Sequence, residues 1–366
     1  MKFGVVFQPT YVPDLDGSSA AALATLLDDA VRAERLGFDV VWATEHHFQA
    51  YGGLMSAPAV FLAAASQRTQ VVRLGVAVAL LPLRDPVRTA EEFATLDALS
   101  GGRLEFGIGR GFSRWDYHVF GFDLAASAAR LKEALDVVLA AWSQDTVTFH
   151  GDHFRYDGVA VLPRPAQQPC PRIWVAAATR AETFVWAGQR GYRLMVPPFQ
   201  KDHALLRRHV AMYQAAFDRG GHNATHQEIF AIIRVHVAET TARAYEQAET
   251  AHYRYLGLQR ARDASGDPFG RPAVPDRRAY ARDDFPGLSL EELSAGAHLI
   301  VGSPDDCVAA IQVLNQRLAV THLGGIFAFG GLAPDVVTRS MELFATAVIP
   351  RVRSLDAVDV RLSGEA

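Results

Sequence analysis

Two cysteines, Cys170 and Cys307, are all that the 366 residues contain. That is too few for a disulfide framework or a thiolate metal cage, and it fits two reduced structural thiols in a cytoplasmic protein. Long hydrophobic runs are also missing, because Pro, Gly or a charge interrupts each one before it reaches membrane-spanning length. Positive charge is not in excess: 36 Lys and Arg, scattered singly, stand against 40 Asp and Glu, which disfavours a nucleic-acid partner. The N-terminal stretch Met1–Phe7 has no signal-peptide layout and reads as an opening strand. There is no HExxH pair for zinc. The glycines of Gly107-Ile108-Gly109-Arg110-Gly111 are wrongly spaced for a dinucleotide turn.

What is present is an alternation of short apolar segments with helical patterns. Eight strands are predicted at Phe3–Gln8, Val40–Ala43, Val72–Ala79, Leu104–Gly109, Ile173–Ala178, Leu194–Pro197, Ile229–Val237 and Leu323–Phe329. Between them, helical spacing covers Ser19–Leu36, Pro86–Leu99, Ala125–Trp142, Arg180–Gly188, His203–Arg219 and Pro304–Arg317. Eight βα units in a chain of this length predict an α/β fold, a (β/α)₈ TIM barrel in one domain over residues 1–366, with a doubly wound sheet as the alternative. Two insertions break the alternation. Thr146–Val161 alternates at period two around Gly151-Asp152 and reads as a β-hairpin outside the barrel, with His150 and His153 as solvated turn residues. Gln259–His298, turn-rich and weakly periodic, reads as an active-site lid before the last strand.

The C-terminal ends of barrel strands are where catalytic groups belong. Glu45-His46-His47-Phe48 follows the second strand, and an imidazole there can move protons near neutral pH. Gly107–Gly111, at the end of the fourth strand, pairs bare backbone with the cation of Arg110, a combination suited to a phosphate. After the fifth strand, Ala176-Ala177-Ala178-Thr179 runs into Arg180-Ala181-Glu182-Thr183, where hydroxyls and free N–H groups make an anion site. Equally, Thr179 reads as a plain helix cap with Glu182 completing a capping box. Phe7, Tyr51, Phe112, Trp115, Phe199 and Phe329 are candidates for an apolar pocket or for barrel core.

Taken in order, MKFGVVFQPTY, GFDVVWATEHHF, LPLRDPVRTAEEFATLDALSGGRLEFGIGRGF, TFHGDHFRYDGV, WVAAATRAETFVWAGQRG, LIVGSPDDCVAAI and GGIFAFGG closely resemble the bacterial luciferase-like flavin-dependent monooxygenases. The resemblance implies a TIM barrel, a homodimer, reduced FMN as co-substrate, O₂ as oxidant and a separate flavin reductase as electron source. It implies oxygenation of a small organic substrate by hydroxylation, epoxidation or Baeyer–Villiger insertion. His46 takes the place of the family's catalytic histidine, with His47 and Glu45 in support. Ala77 and Val78 fall where the family often has a cis peptide beneath the isoalloxazine ring. Arg110, flanked by Gly109 and Gly111, matches a phosphate-binding arginine. Ala176, Ala177, Thr179, Arg180 and Thr183 fall in the second phosphate segment.

Two departures stand out. Luciferases proper carry a reactive cysteine where this chain has Gly109, which disfavours long-lived light emission. Ala128 follows Ser127 where the family tends to place an arginine, and Arg130 or Arg180 would have to compensate. The alternatives are a deazaflavin-dependent hydride-transfer enzyme of the same superfamily and a non-catalytic partner subunit of the luciferase β type.

Overall fold

A computed structural model describes residues 1–12, 17–198, 203–263 and 282–355. The eight apolar segments all become parallel strands, their ends within two or three residues of the sequence expectation. They are β1 (Lys2–Phe7), β2 (Val40–Ala43), β3 (Arg73–Leu80), β4 (Leu104–Gly109), β7 (Arg172–Ala176), β8 (Arg193–Val196), β9 (Ile229–Val237) and β11 (His322–Ile326), with β5 (Val147–His150), β6 (Arg155–Val159) and β10 (Ile300–Gly302) outside the ring. Pairing runs β9-β11-β1-β2-β3-β4-β7-β8, and a β8–β9 ladder closes it into a TIM barrel. The doubly wound alternative is thereby excluded, since an open sheet would leave β8 and β9 as edges. Strands β5 and β6 form a separate antiparallel hairpin, as the period-two pattern predicts.

The helices before the last strand are α1 (Ser19–Arg35), α2 (Pro58–Ser66), α3 (Pro86–Leu99), α4 (Arg114–Phe120), α5 (Ser127–Ser143), α6 (Ala181–Gln189), α7 (His203–Arg219), α8 (Thr241–Asp263), α9 (Leu290–Ala295) and α10 (Pro304–Leu318). After β11 come α11 (Pro334–Leu343) and α12 (Ile349–Val352). Local chemistry sets several starts. Asp85 accepts from Arg88 N at 2.9 Å ahead of Pro86, and full capping boxes at Ser289/Glu292 and Ser303/Asp306 open α9 and α10. No helix among the described residues is long and apolar enough to cross a membrane.

The insertion read as a lid needs correcting in part. Gln259–Asp263 is the last turn of α8, and the far end of the insertion carries the capped helix α9 and reaches β10, which pairs with β9. Residues 264–281 lie outside the described residues.

Side chains inside the barrel are fitted by pairing the largest with glycine. Trp42 and Phe230 stack at 4.7 Å, with Trp174 edge-on to both. A Cβ on Gly75 would stand 2.0 Å from Trp42, and one on Gly324 would stand 2.4 Å from Phe230. Below this layer, the N-terminal floor is an ion network. Glu105 accepts from Arg73, from Arg172 at 3.2 Å and from Trp174 Nε1 at 2.7 Å, while Glu228 holds Arg193, Lys2 at 3.3 Å and His322 at 3.4 Å. A cavity of about 440 Å³ opens beside this floor. Residues at that face of a TIM barrel usually serve stability. The opposite mouth differs, because Ala77, Val78, Ala176 and Ile232, all packed on the interior cluster, regain accessible surface there.

Candidate active site

The loop after β2 turns sharply and aims its two histidines in opposite directions. Thr44 bonds Phe7 O through both its amide and its hydroxyl, each at 3.1 Å, which fixes where the loop leaves the barrel. Gly52 then comes back across the His46 ring at φ +80°. A Cβ there would lie 2.4 Å from His46 Cδ2, so only glycine allows the approach. His46 packs against Tyr51 (5.7 Å between centroids) and Phe112 (6.1 Å). Arg262, from the last turn of α8, caps both of these rings at 4.6 Å. Gln8, the residue after β1, donates its amide N–H to His46 Nε2 at 3.0 Å, leaving the ring proton of a neutral imidazole on Nδ1. Burial, reinforced by Arg262 and His47, pushes the His46 pKa down to about 3. It is a neutral donor and acceptor throughout the physiological range.

His47 and Glu45 occupy a different environment. Glu45 is buried and takes Leu80 N at 3.2 Å, Arg84 Nε at 3.1 Å and His47 Nε2 at 3.1 Å. The expectation that Glu45 supports His46 is corrected: its carboxylate faces β3 and Arg84, because an anion at that depth requires a charged partner. His47 follows it, its ring edge-on to Phe120 at 5.0 Å.

On the neighbouring rim the peptide between Ala77 and Val78 is cis, at a shift of register between β3 and β4. Gly109 lies against it, since a Cβ there would come 2.5 Å from Val78 Cγ2. Arg110 reaches Ser127 Oγ at 3.2 Å, at the first turn of α5, and Tyr117 donates to its carbonyl. Burial and the nearby Arg180 both push the Arg110 pKa down, and no carboxylate pairs with Arg110 among the described residues. Neither α5 nor α6 has a side chain bonded to its first-turn N–H groups. Two cations, a hydroxyl and two open helix N-termini therefore converge, which suits a phosphate dianion. Ala77, Val78 and Ala176 provide an apolar floor for a flat ring. The donor set fits the phosphate of a flavin nucleotide, and Gly109 leaves room for Val78 beneath the ring.

Other sequence-predicted residues fall differently. The helix cap is Arg180, not Thr179, and no capping box with Glu182 forms, because the chain stays extended one residue further. Thr179 is exposed and Thr183 lies half-buried in the first turn of α6. Ala177 points outward into the helix layer, as strand alternation requires once Ala176 points in. Arg130 donates to Pro82 O at 3.1 Å and lies over Phe122 and Phe154, whereas Arg180 is close enough to Arg110 to repel its charge. Phe7 is core, packed on Phe61 at 5.4 Å, whereas Tyr51, Phe112 and Phe329 lie at the mouth. Trp115 stacks on His118 on α4, and Phe199 lies outside the described residues. Gln8, Arg234 and Tyr255 were not singled out in the sequence, although the structure brings all three to this mouth.

The sequence model of luciferase-like monooxygenases matches residues 1–322. The alkanal monooxygenase alpha chain of Photorhabdus luminescens is 34% identical, over 96% of this chain and 96% of its own. The crystal structure of the monooxygenase RslO1 from Streptomyces bottropensis superposes with a TM-score of 0.85 at 29% identity, covering 96% of this chain and 99% of that one. The oxygenating constituent of 3,6-diketocamphane monooxygenase from Pseudomonas putida, a type II Baeyer–Villiger monooxygenase solved with FMN, shares the fold, with a TM-score of 0.78 at 22% identity over 96% and 98% of the two chains. With the closed barrel and this mouth in place, these matches identify the chain as a member of the luciferase-like family of flavin-dependent monooxygenases.

Proposed function

We propose that the chain binds reduced FMN at the C-terminal mouth and uses O₂ to oxygenate a small organic substrate, the reduced flavin coming from a separate reductase. The observation that carries this reading is one arrangement: a carboxylate-free cradle of Arg110, Arg180 and Ser127 on one side of the Ala77–Val78 floor, and the neutral His46 on the other. The FMN held by the diketocamphane relative supports the same choice of flavin. When bound, reduced flavin supplies the electrons that activate oxygen. The chain's own groups do the rest. Arg110 and Arg180 grip the phosphate and so fix the ring's position, while Tyr51, Phe112 and Arg262 screen the mouth from water. His46 keeps its N–H on Nδ1, which it can offer as a hydrogen bond to an oxygen atom.

Arg110→Ala should weaken FMN binding by about 10–150-fold, the equivalent of about 1.5–3 kcal/mol for one charge-assisted contact. Riboflavin, which has no phosphate, should bind the variant and the parent equally. Fluorescence titration of both ligands tests this. If FMN and riboflavin bind the parent with the same affinity, the cradle does not hold a phosphate. Incorporation of an oxygen atom from labelled O₂ into an organic product tests the oxidant, because free reduced FMN consumes O₂ unaided; a protein that oxygenates nothing but reduces or oxidises a substrate with a deazaflavin would favour hydride transfer.

A further inference from the structure

Along β9 the inward positions are Phe230, Ile232 and Arg234, rising from the packed Trp42–Trp174 layer to the mouth. Arg234 is only 6% exposed. Among the described residues no carboxylate pairs with it, and its one hydrogen-bond partner is His252 Nδ1 at 2.9 Å. The other side of His252 donates to Leu288 O at 2.7 Å, which fixes the ring as a neutral acceptor for the arginine. Tyr255 and Phe329 lie against the guanidinium, at 4.4 and 5.7 Å. Tyr255 shares a 2.7 Å hydroxyl contact with Tyr51, which in turn packs on His46. In the ring of eight strands β9 is four places from β3 in either direction, so Arg234 stands directly across the mouth from Ala77–Val78. A buried cation without a counter-ion is costly, and most of this one's five N–H donors are left unused by the protein.

We propose that Arg234 is a substrate-binding residue and that the substrates of this enzyme carry a carboxylate, received by the planar guanidinium fork opposite the Ala77–Val78 floor. The proposal rests on the C-terminal mouth being the reaction site. It does not depend on the phosphate cradle, which lies on the other rim. A planar fork is suited to a carboxylate because two parallel N–H donors match its two oxygens. Tyr255 and Phe329 hold the fork flat, and His252 sets its rotation while contributing no charge of its own. The carboxylate anchors one end of the substrate, and the rest of the molecule extends toward His46.

The test uses a panel of small aliphatic and aromatic monocarboxylates, acetate, hexanoate and benzoate among them, each paired with its primary amide. Binding is measured by calorimetry on the whole chain with and without FMN, for the parent, Arg234→Lys and Arg234→Gln. At least one carboxylate should bind the parent tenfold or more tightly than its amide. Arg234→Gln should remove that preference while leaving amide affinity and FMN affinity unchanged, and Arg234→Lys should restore part of it. If Arg234→Gln does not fold, the carboxylate-to-amide ratio in the parent decides alone. A parent that shows no preference across the panel, or a folded Gln variant that keeps it, overturns the assignment. Failure of FMN to bind while carboxylates still do would overturn the flavin reading and leave this one standing.

Discussion

Replacing His46 by alanine should reduce product formation by ~10²–10³-fold, the usual loss on removing one hydrogen-bond donor from a developing oxyanion, while FMN affinity stays close to that of the parent. The consumed oxygen should then leave as hydrogen peroxide. The reason lies in how the ring is held. Gln8 occupies Nε2, so the proton of the neutral imidazole sits on Nδ1, and burial keeps the ring neutral down to about 3. Such a group stabilises a developing oxyanion by hydrogen bonding without introducing a charge that would have to be desolvated. Because His46 does not titrate near neutrality, any acidic limb of the rate profile between pH 5 and 7 must belong to another group. His47→Ala should show a smaller loss, since His47 bonds Glu45 and faces Phe120. Oxygen electrode and peroxide assays on parent and variants measure the partition directly. A His46→Ala enzyme that couples oxygen to product as efficiently as the parent would reduce His46 to a packing residue.

The barrel was legible because its signal is local. Each strand is a short apolar run, and helix starts such as Asp85-Pro86 and Ser303-Pro304 carry their own capping chemistry. The proposed phosphate cradle was partly legible for the same reason, as the Gly-Arg-Gly turn is contiguous. What escaped has physical causes. α2, PAVFLAAAS, is apolar on every face and shows no helical stripe, while β10 is only three residues long. α8 is rich in charge, and its last turn merges with the turn-rich stretch after it, so its end reads as loop. Gln8 follows β1, Arg234 lies on β9 and Tyr255 on α8, and only barrel closure gathers them at the mouth that holds His46. One signal was available for Arg234. In IFAIIRVHV it is the lone charge in an apolar strand, and it shares the parity of Phe230 and Ile232, which face the interior.

Acid should destabilise this protein well before its carboxylates are titrated. His252 is fully buried and His322 nearly so. Burial, with Arg234 beside it, pushes His252 down to about 4, and burial pushes His322 down to about 3 although Glu228 opposes this. In the unfolded chain both return to about 6.5. Below that value the unfolded state takes up protons that the native state refuses. Stability is therefore complete above about pH 6.5 and declines as pH falls toward the two native values. Each histidine accounts for about 2 kcal/mol between pH 7 and pH 5, and His46, held down to about 3, adds a third such contribution, so the three remove about 6 kcal/mol from a total that is typically ~5–15 kcal/mol. His236, also buried and shifted down, acts in the same direction. Asp29 and Asp116, whose pKa values burial raises, act in the opposite direction, but only as pH approaches the carboxylate range. Urea unfolding at pH 7 and pH 5 should show the midpoint falling with little change of slope, and unfolding at pH 5 should be accompanied by proton uptake. His322→Asn should flatten the dependence by about a third, because an amide in that place does not titrate. A free energy of unfolding that is level between pH 7 and pH 5 would mean that these imidazoles reach water in the native state.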